Sequence, residues 1–301
     1  MQITANDVRK EYGSVTALDG LSLEIPAGST FGVLGTNGAG KTTLFKLLVG
    51  HDRPDSGRLT VGDREVADAG LRIREQVGYL PERVGFPPAL SGREILNFHA
   101  RMRGLPRDGR IAEAIKMVGL DVSDADRAVS GYSNGMRRRL GLAAAVLPRP
   151  SVLVLDEPTA GLDPRGVAEF HEIIDRVRTE TGATVVLSSH VLSEIERLCD
   201  RVAILDSGRV LASGAVDDLV DTEDVTVRLR PASADRVSDL VAAGGEVGTA
   251  SATNGTVTVR CPVEAVPDLF SATEDIDLAD VTVDREGLDT AFHDALGEVN
   301  A

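Results

Sequence analysis

The sequence predicts an α/β fold built on a buried parallel sheet. An antiparallel β-subdomain precedes it, a helical segment is inserted in the middle, and a small α+β domain follows. Three observations predict this. The runs Ser29-Thr30-Phe31-Gly32-Val33-Leu34, Ser151-Val152-Leu153-Val154-Leu155 and Ala183-Thr184-Val185-Val186-Leu187 are short and continuously apolar, as in strands buried on both faces. Helical periodicity follows each of them. Charge also changes sharply along the chain: residues 221–301 carry 17 acidic and 5 basic side chains, against 30 and 27 in the remaining 220. That asymmetry sets a boundary near residue 220, giving domains 1–220 and 221–301.

Taken in order, residues 2–8 and 17–25 alternate apolar and polar and predict antiparallel strands joined by Gly and Pro turns. Tyr12, between them, is either a surface turn residue or a ring placed to stack on a base. The buried strand ending at Leu34 leads into Gly35-Thr36-Asn37-Gly38-Ala39-Gly40-Lys41-Thr42, with Thr43 behind it, and then into a helix over 42–49. Gly50-His51-Asp52-Arg53-Pro54-Asp55-Ser56-Gly57 is a turn cluster, and strand pattern continues from there as far as Glu82. Ser91-Gly92-Arg93-Glu94 has capping-box form ahead of Ile95, Leu96, Phe98 and Met102, and a second helix is expected over 110–118. Residues 86–146 therefore read as a helical insertion. A strand over 151–155, a helix over 165–180, a strand over 183–190, a helix over 191–198 and a hairpin through Asp206-Ser207-Gly208-Arg209 complete the first domain. The tail reads strand (224–230), helix (233–243), two strands around Asn254-Gly255, helix (263–272), strand (276–283) and helix (287–296), a βαββαβ order. It carries no catalytic constellation and is expected to serve interaction or regulation.

The bulk numbers exclude several classes. No run of 18 apolar residues is present, and the N-terminus lacks a basic stretch followed by an apolar core, so a cytoplasmic protein is expected. Cys199 and Cys261 have no metal-site spacing and read as core fillers in a reducing compartment. Net charge is −15, and neither domain offers a strongly basic face, which argues against nucleic acid.

The loop over 35–42 matches G-x-x-x-x-G-K-[ST] at every required position, in the strand–loop–helix context the pattern needs. Its glycines let consecutive backbone N–H groups turn inward, and the helix N-terminus adds partial positive charge where a polyphosphate would lie. Lys41 would reach the β- and γ-phosphates, and the Thr42 hydroxyl would hold Mg²⁺. A glycine-rich turn that binds nothing is the alternative. Further on, Asp156 and Glu157 emerge at the C-terminal end of a buried strand, where α/β sheets place ligands. In isolation such a pair is as readily a helix cap. With the loop, Asp156 would hold Mg²⁺ through water, and Glu157 sits where a base could orient or deprotonate the attacking water.

The segments 35–43, 78–82, Tyr132-Ser133-Asn134-Gly135-Met136, 155–158, Gly161-Leu162-Asp163 and Ser188-Ser189-His190 stand in the order and spacing of the ABC transporter ATPases, which the chain resembles over residues 1–215. The resemblance implies an ATP-hydrolysing enzyme, with ATP and Mg²⁺ bound and a membrane permease as partner. It also implies a homodimer of ATPase subunits and a place on the inner face of the membrane. It implies that Tyr12 stacks the adenine, that residues Asn37, Gly38, Ala39, Gly40, Lys41, Thr42 and Thr43 hold the phosphates, and that Thr42, Asp156 and Glu82 serve the metal. Glu157 is then the catalytic base, His190 senses the γ-phosphate, and Asp163 lies in the loop joining two sites across a dimer. Ser133 and Gly135 contact the nucleotide held by the other subunit. Taken alone, a His after a strand is usually a satisfied core residue; its position favours the switch role.

Three positions depart from the family pattern. Thr36 replaces the usual proline, losing stiffness but no ligand. Glu82 replaces the usual glutamine and adds negative charge beside the γ-phosphate. Asn134 and Met136 alter the signature, and Met136 cannot make the glutamine's polar contact. Within the family, 78–83, 86–104 and 131–142 resemble the branch that powers ABC-2-type permeases. There the nearest likeness is to the NosF-type ATPases of nitrous oxide reductase maturation, which implies a role in copper-site assembly. The alternatives are an ABC-2-type exporter of drugs, lipids or polysaccharides, and a permease-free ATP-switched regulator.

Overall fold

The computed structural model describes residues 1–220 and 224–285, together with Leu288, Phe292, Ala295 and Leu296. The chain divides into two compact units, Met1–Ala215 and Val216–Ala301.

In the first unit, β1 (Ile3–Tyr12) and β2 (Val15–Ile25) form a long hairpin. The fully buried β3 (Thr30–Gly35) follows, then the phosphate loop and α1 (Lys41–Leu48). The strands β4 (Ser56–Val61) and β5 (Arg64–Glu65) extend the hairpin into an antiparallel sheet of order β2-β1-β4-β5. The strand pattern expected as far as Glu82 breaks here. Residues 66–75 form the short helix α2 (Val66–Ala69) and a 3₁₀ segment (Gly70–Glu75) before β6 (Val77–Leu80). The reason lies in the spacing: Val66, Ala69 and Ile73 are all buried, and steps of three and four residues need a helical backbone to face one core.

The helical insertion contains α3 (Gly92–Met102), α4 (Arg110–Met117), the short α5 (Val122–Ala125) and α6 (Asn134–Val146). The capping box at Ser91 is formed in both directions with Glu94. The α5 turn was not expected from the sequence. It is anchored by Tyr132, 3% exposed, whose hydroxyl donates to the Asp124 carbonyl at 2.6 Å. The remaining elements are β7 (Val152–Leu155), α7 (Pro164–Thr181), β8 (Thr184–Ser188), α8 (Leu192–Leu198), β9 (Arg201–Asp206) and β10 (Arg209–Ala215).

The second sheet has the order β10-β9-β3-β8-β7-β6; it is parallel from β9 to β6, with β10 antiparallel at one edge. One core joins the two sheets, with Phe31, Val33, Val154 and Val186 packed together with Ile3, Leu21, Leu59 and the α1 residues Leu44, Phe45 and Leu48. That packing fixes the loop between β3 and α1. The C-terminal ends of β3, β7 and β8 open on the same side, so the polar residues that follow them share one edge.

The second unit opens with α9 (Val216–Leu219) and continues through β11 (Asp224–Pro231), α10 (Val237–Val247), β12 (Thr249–Thr253), β13 (Thr256–Pro262), α11 (Val266–Ala272) and β14 (Leu278–Arg285). All of its strand pairs are antiparallel, in the order β12-β13-β11-β14. Val225, Val227, Leu229, Val257, Val259 and Cys261 pack on Leu240 and Leu269. The last expected helix, 287–296, lies outside the described residues except at Leu288, Phe292, Ala295 and Leu296. Cys199 and Cys261 are free, buried thiols, and burial pushes both above the ordinary thiol range.

Candidate functional site

A cleft of about 590 Å³ lies at the C-terminal edge of the parallel sheet. Asn37, Gly38, Ala39, Gly40, Lys41, Thr42, Thr43, Glu82, Asp156, Glu157 and His190 line it, with Val15, Thr16 and Ala17 as a wall on the β2 side. The polar groups reach it from the β3–α1 loop with the first turn of α1 and from beyond the ends of β6, β7 and β8, and all but Thr16 on β2 were singled out in the sequence.

The loop itself is held from outside. Gly40 has φ +105°, and a Cβ there would sit 2.6 Å from the Ala17 carbonyl oxygen, so only glycine fits between loop and wall. From the β9–β10 turn, the Gly208 N–H donates to the Ala39 carbonyl at 3.0 Å, and the Asp19 N–H donates to the Gly208 carbonyl at 3.0 Å. Thr36, expected to cost the loop stiffness, donates its hydroxyl to Asp206 Oδ1 at 3.2 Å and gains a tether that proline could not make. The Lys41 ammonium donates to the carbonyls of Gly35 (2.7 Å) and Thr36 (3.1 Å). Burial lowers its pKa, while Glu157 and Asp156 favour its charged form.

The carboxylates form a layered arrangement. Asp156 is buried; its Oδ1 accepts from the Ser188 hydroxyl at 2.9 Å, and its Oδ2 from the Tyr79 hydroxyl at 3.4 Å. Burial raises its pKa above the ordinary carboxylate value, with Glu157 and Glu82 acting in the same direction and the Ser188 and Tyr79 hydrogen bonds opposing. The Glu157 N–H donates to Ser188 Oγ at 2.9 Å, so one serine hydroxyl fixes both carboxylate residues. Glu157 adopts φ +46°, a left-handed conformation that side-chain-bearing residues adopt sparingly. Its Oε2 lies 2.8 Å from Nδ1 of the exposed His190.

These donors fit a hard divalent cation carried with a polyphosphate. A hydroxyl (Thr42) and carboxylate oxygens (Asp156, Glu82) face one cleft, and no softer ligand joins them there except the exposed His190. Among the described residues no three His, Cys, Asp or Glu side chains converge as a metal cage. A cation with few protein ligands, completed by water and phosphate oxygens, suits Mg²⁺ rather than zinc.

Ser133, Gly135 and Asp163 are not in this cleft. They line a separate groove with Asn134, Met136, Gly161 and Leu162. Ser133 caps α6, its hydroxyl accepting from the Met136 N–H at 3.2 Å; Asp163 caps α7, accepting from the Gly166 N–H at 2.7 Å. Met136, without the polar end of a glutamine, takes a hydrogen bond from the Arg127 guanidinium on its sulfur at 3.5 Å. Tyr12 does not line the cleft either. Its hydroxyl donates to Asp52 at 2.7 Å, and the Lys10 ammonium stands 5.3 Å from its ring centroid.

Sequence reading gave no role to Ser188 and Tyr79, which orient Asp156, or to Arg138. Arg138 is 5% exposed and donates to the carbonyls of Pro81 (2.8 Å), Glu82 and Glu157. In the run Arg137-Arg138-Arg139 it looks like surface charge. Arg137 and Arg139 stand at the same spacings from buried residues of α6, so periodicity does not mark Arg138 as the inward member; only the fold does.

The sequence profile described as ABC transporter matches residues 18–160. The chain is 37% identical to the daunorubicin resistance ATP-binding protein DrrA3 of Streptomyces coeruleorubidus, over 98% of this chain and 96% of that one. It is 36% identical to the linearmycin resistance ATP-binding protein LnrL of Bacillus subtilis, over 72% and 70% of the two chains. Among solved structures, a dimeric bacterial ABC transporter cassette superposes with a TM-score of 0.64 at 23% identity, covering 71% of this chain and 98% of that one, a likeness of fold. These relatives favour the exporter alternative over the copper-enzyme maturation suggested by the narrower resemblance.

Proposed function

The chain belongs to the ABC transporter ATP-binding proteins, an ATPase subunit of α/β P-loop fold, and on that premise we propose that it drives an exporter of drug-like or antibiotic-like molecules through a membrane permease. Two resistance proteins among its relatives support the cargo class, one of them alike along nearly the whole chain. The observation that carries the reading is the single cleft in which the loop over 37–43, Asp156 and the Glu157–His190 pair meet.

The proposed chemistry follows from those positions. The backbone N–H groups of 37–42 and the Lys41 ammonium bind the β- and γ-phosphates of ATP. Thr42 and Asp156 would hold Mg²⁺, with Glu82 reaching it through water; the ion, when bound, neutralises charge developing on the phosphates. Glu157 accepts a proton from the attacking water, and His190 holds the Glu157 carboxylate while reaching the γ-phosphate. The 2.8 Å contact orients the base.

The groove with Ser133, Gly135 and Asp163, apart from the loop, supports a paired arrangement in which each chain supplies half of two sites. ATP would then join two copies, and hydrolysis would release them. An apolar cleft lined by Val84, Phe86, Pro87, Leu90 and Phe98, directly after Glu82, supports a permease contact on the cytoplasmic side of the membrane. Phe98 and Met102 stand 59% and 71% exposed on the outer side of α3. Among the described residues no helix is long and apolar enough to cross a membrane, so passage of cargo falls to a partner.

The test is efflux. Cells expressing the chain together with a permease that co-purifies with it should extrude a fluorescent anthracycline faster than cells with the permease alone. Equal efflux, with the chain's ATPase active in the cells that express it, would move the cargo class elsewhere.

A further inference from the structure

We propose that Arg138 is a positioning residue for hydrolysis: through the peptide backbone it sets the Glu157 carboxylate, and it ties that setting to helix α6, which Ser133 caps. The proposal rests on the reading of Glu157 as the catalytic base.

The guanidinium is buried, yet among the described residues no carboxylate forms an ion pair with it. Its recorded partners are three backbone carbonyls, those of Pro81 and Glu82 beyond the end of β6 and that of Glu157 beyond the end of β7. A planar fork with five donors spreads over carbonyls from two strand ends in a fixed geometry, whereas the three donors of a lysine converge on one nitrogen. Burying a cation merely to fill space is unfavourable, since an apolar side chain of similar volume would do so at lower cost. The arrangement therefore points to control of those carbonyls.

The Glu157 carbonyl is the informative one. Glu157 is held at φ +46°, its N–H donating to Ser188 and its carbonyl accepting from Arg138. Clamped on both sides, the residue keeps a conformation it would otherwise leave, and that conformation aims its carboxylate at His190, 2.8 Å away. Releasing the carbonyl lets Glu157 relax toward an ordinary backbone and carries the carboxylate off the water it must deprotonate. The same guanidinium holds the Glu82 carbonyl, so both carboxylate-bearing loops beyond the strand ends are referenced to one side chain. Glu82, Asp156 and Glu157 together favour its charged form against the pull of burial. Ser133 and Arg138 lie on one continuous helix less than two turns apart. A displacement of the α6 N-terminus is thereby transmitted to the catalytic base.

The experiment compares ATP turnover by the full chain, binding of a fluorescent ATP analogue and thermal unfolding for Arg138→Gln, Arg138→Lys, Glu157→Gln and Arg138→Gln/Glu157→Gln. Misplacing a base by an ångström predicts a fall in kcat of about 10–100-fold for Arg138→Gln, with analogue affinity within about threefold of wild type. Arg138→Lys recovers part of that loss. The double variant turns over at the rate of Glu157→Gln alone, because Arg138 acts through Glu157. Wild-type kcat in Arg138→Gln beside a dead Glu157→Gln overturns the proposal and leaves the base assignment standing, as does a further tenfold loss in the double variant. Wild-type turnover in Glu157→Gln removes the base assignment and the proposal with it. If Arg138→Gln does not fold, Arg138→Lys and its double with Glu157→Gln decide by the same comparison.

Discussion

His190 Nδ1 lies 2.8 Å from Glu157 Oε2, joining a residue beyond the end of β7 to one beyond the end of β8. The contact follows from register: Leu155 pairs with Leu187 across the parallel strands, so the residues two and three positions further on meet. His190→Ala is predicted to lower kcat about 10²-fold, a typical contribution for an acid–base partner, while changing KM for ATP little. Steady-state turnover across ATP concentrations separates the two. A raised KM with unchanged kcat would make His190 a binding residue only.

Lys41 is the cation of the loop, and it already donates to the Gly35 and Thr36 carbonyls. Lys41→Ala removes the point charge facing the phosphates, so ATP affinity should fall by at least about tenfold, the scale of one charge-assisted contact. Titration with a fluorescent nucleotide reads this directly. Undiminished affinity would mean that the backbone alone holds the phosphates.

If Asp156 holds the cation as proposed, the acidic limb of activity should be set by its carboxylate. Its protonated form cannot serve a cation, and burial sets its pKa above the ordinary carboxylate value, so kcat/KM should decline as pH falls through that raised pKa. The Ser188 hydroxyl opposes the rise by donating to the carboxylate at 2.9 Å. Ser188→Ala should therefore move the limb to higher pH. A pH–rate profile whose limb stays put would assign it to another group.

Gly208 ties the β9–β10 turn to the loop at φ +79°, and a Cβ there would stand 2.8 Å from the Ala17 carbonyl oxygen and from Leu18 Cα. Gly208→Ala should cost about 1–3 kcal/mol through strain and displaced backbone. Equilibrium unfolding in urea measures it. A loss below about 0.5 kcal/mol, the range of an ordinary surface change, would show that the turn gives way easily.

The parts legible in the sequence were those encoded locally. The loop over 35–43 is a complete pattern in nine residues, and Asp156-Glu157 follows four aliphatic residues that can only be buried. What escaped depends on elements meeting in space. Arg138 is one of three consecutive arginines, and its targets lie 19 to 57 residues away. The Thr36 tether needs Asp206, 170 residues on, which makes the departure from proline look like a loss in the sequence and a gain in the fold. Residues 66–75 read as strand in the sequence and are helical in the fold, because three buried positions in a short segment satisfy a helical period only once the core is known. The two-groove distribution of Ser133 and Asp163 against Lys41 was implied by resemblance and could not have been computed from spacing.

Glu157 is the proposed activator of the water that attacks ATP, in a cleft completed by a second copy of the chain. The most direct measurement is ATP turnover and oligomeric state of Glu157→Gln with ATP and Mg²⁺. The variant should lose about 10²–10⁴-fold in kcat, the range of a lost general base, and form an ATP-dependent dimer that persists in size-exclusion chromatography. Wild-type turnover by Glu157→Gln, with no dimer at saturating ATP, would contradict that role.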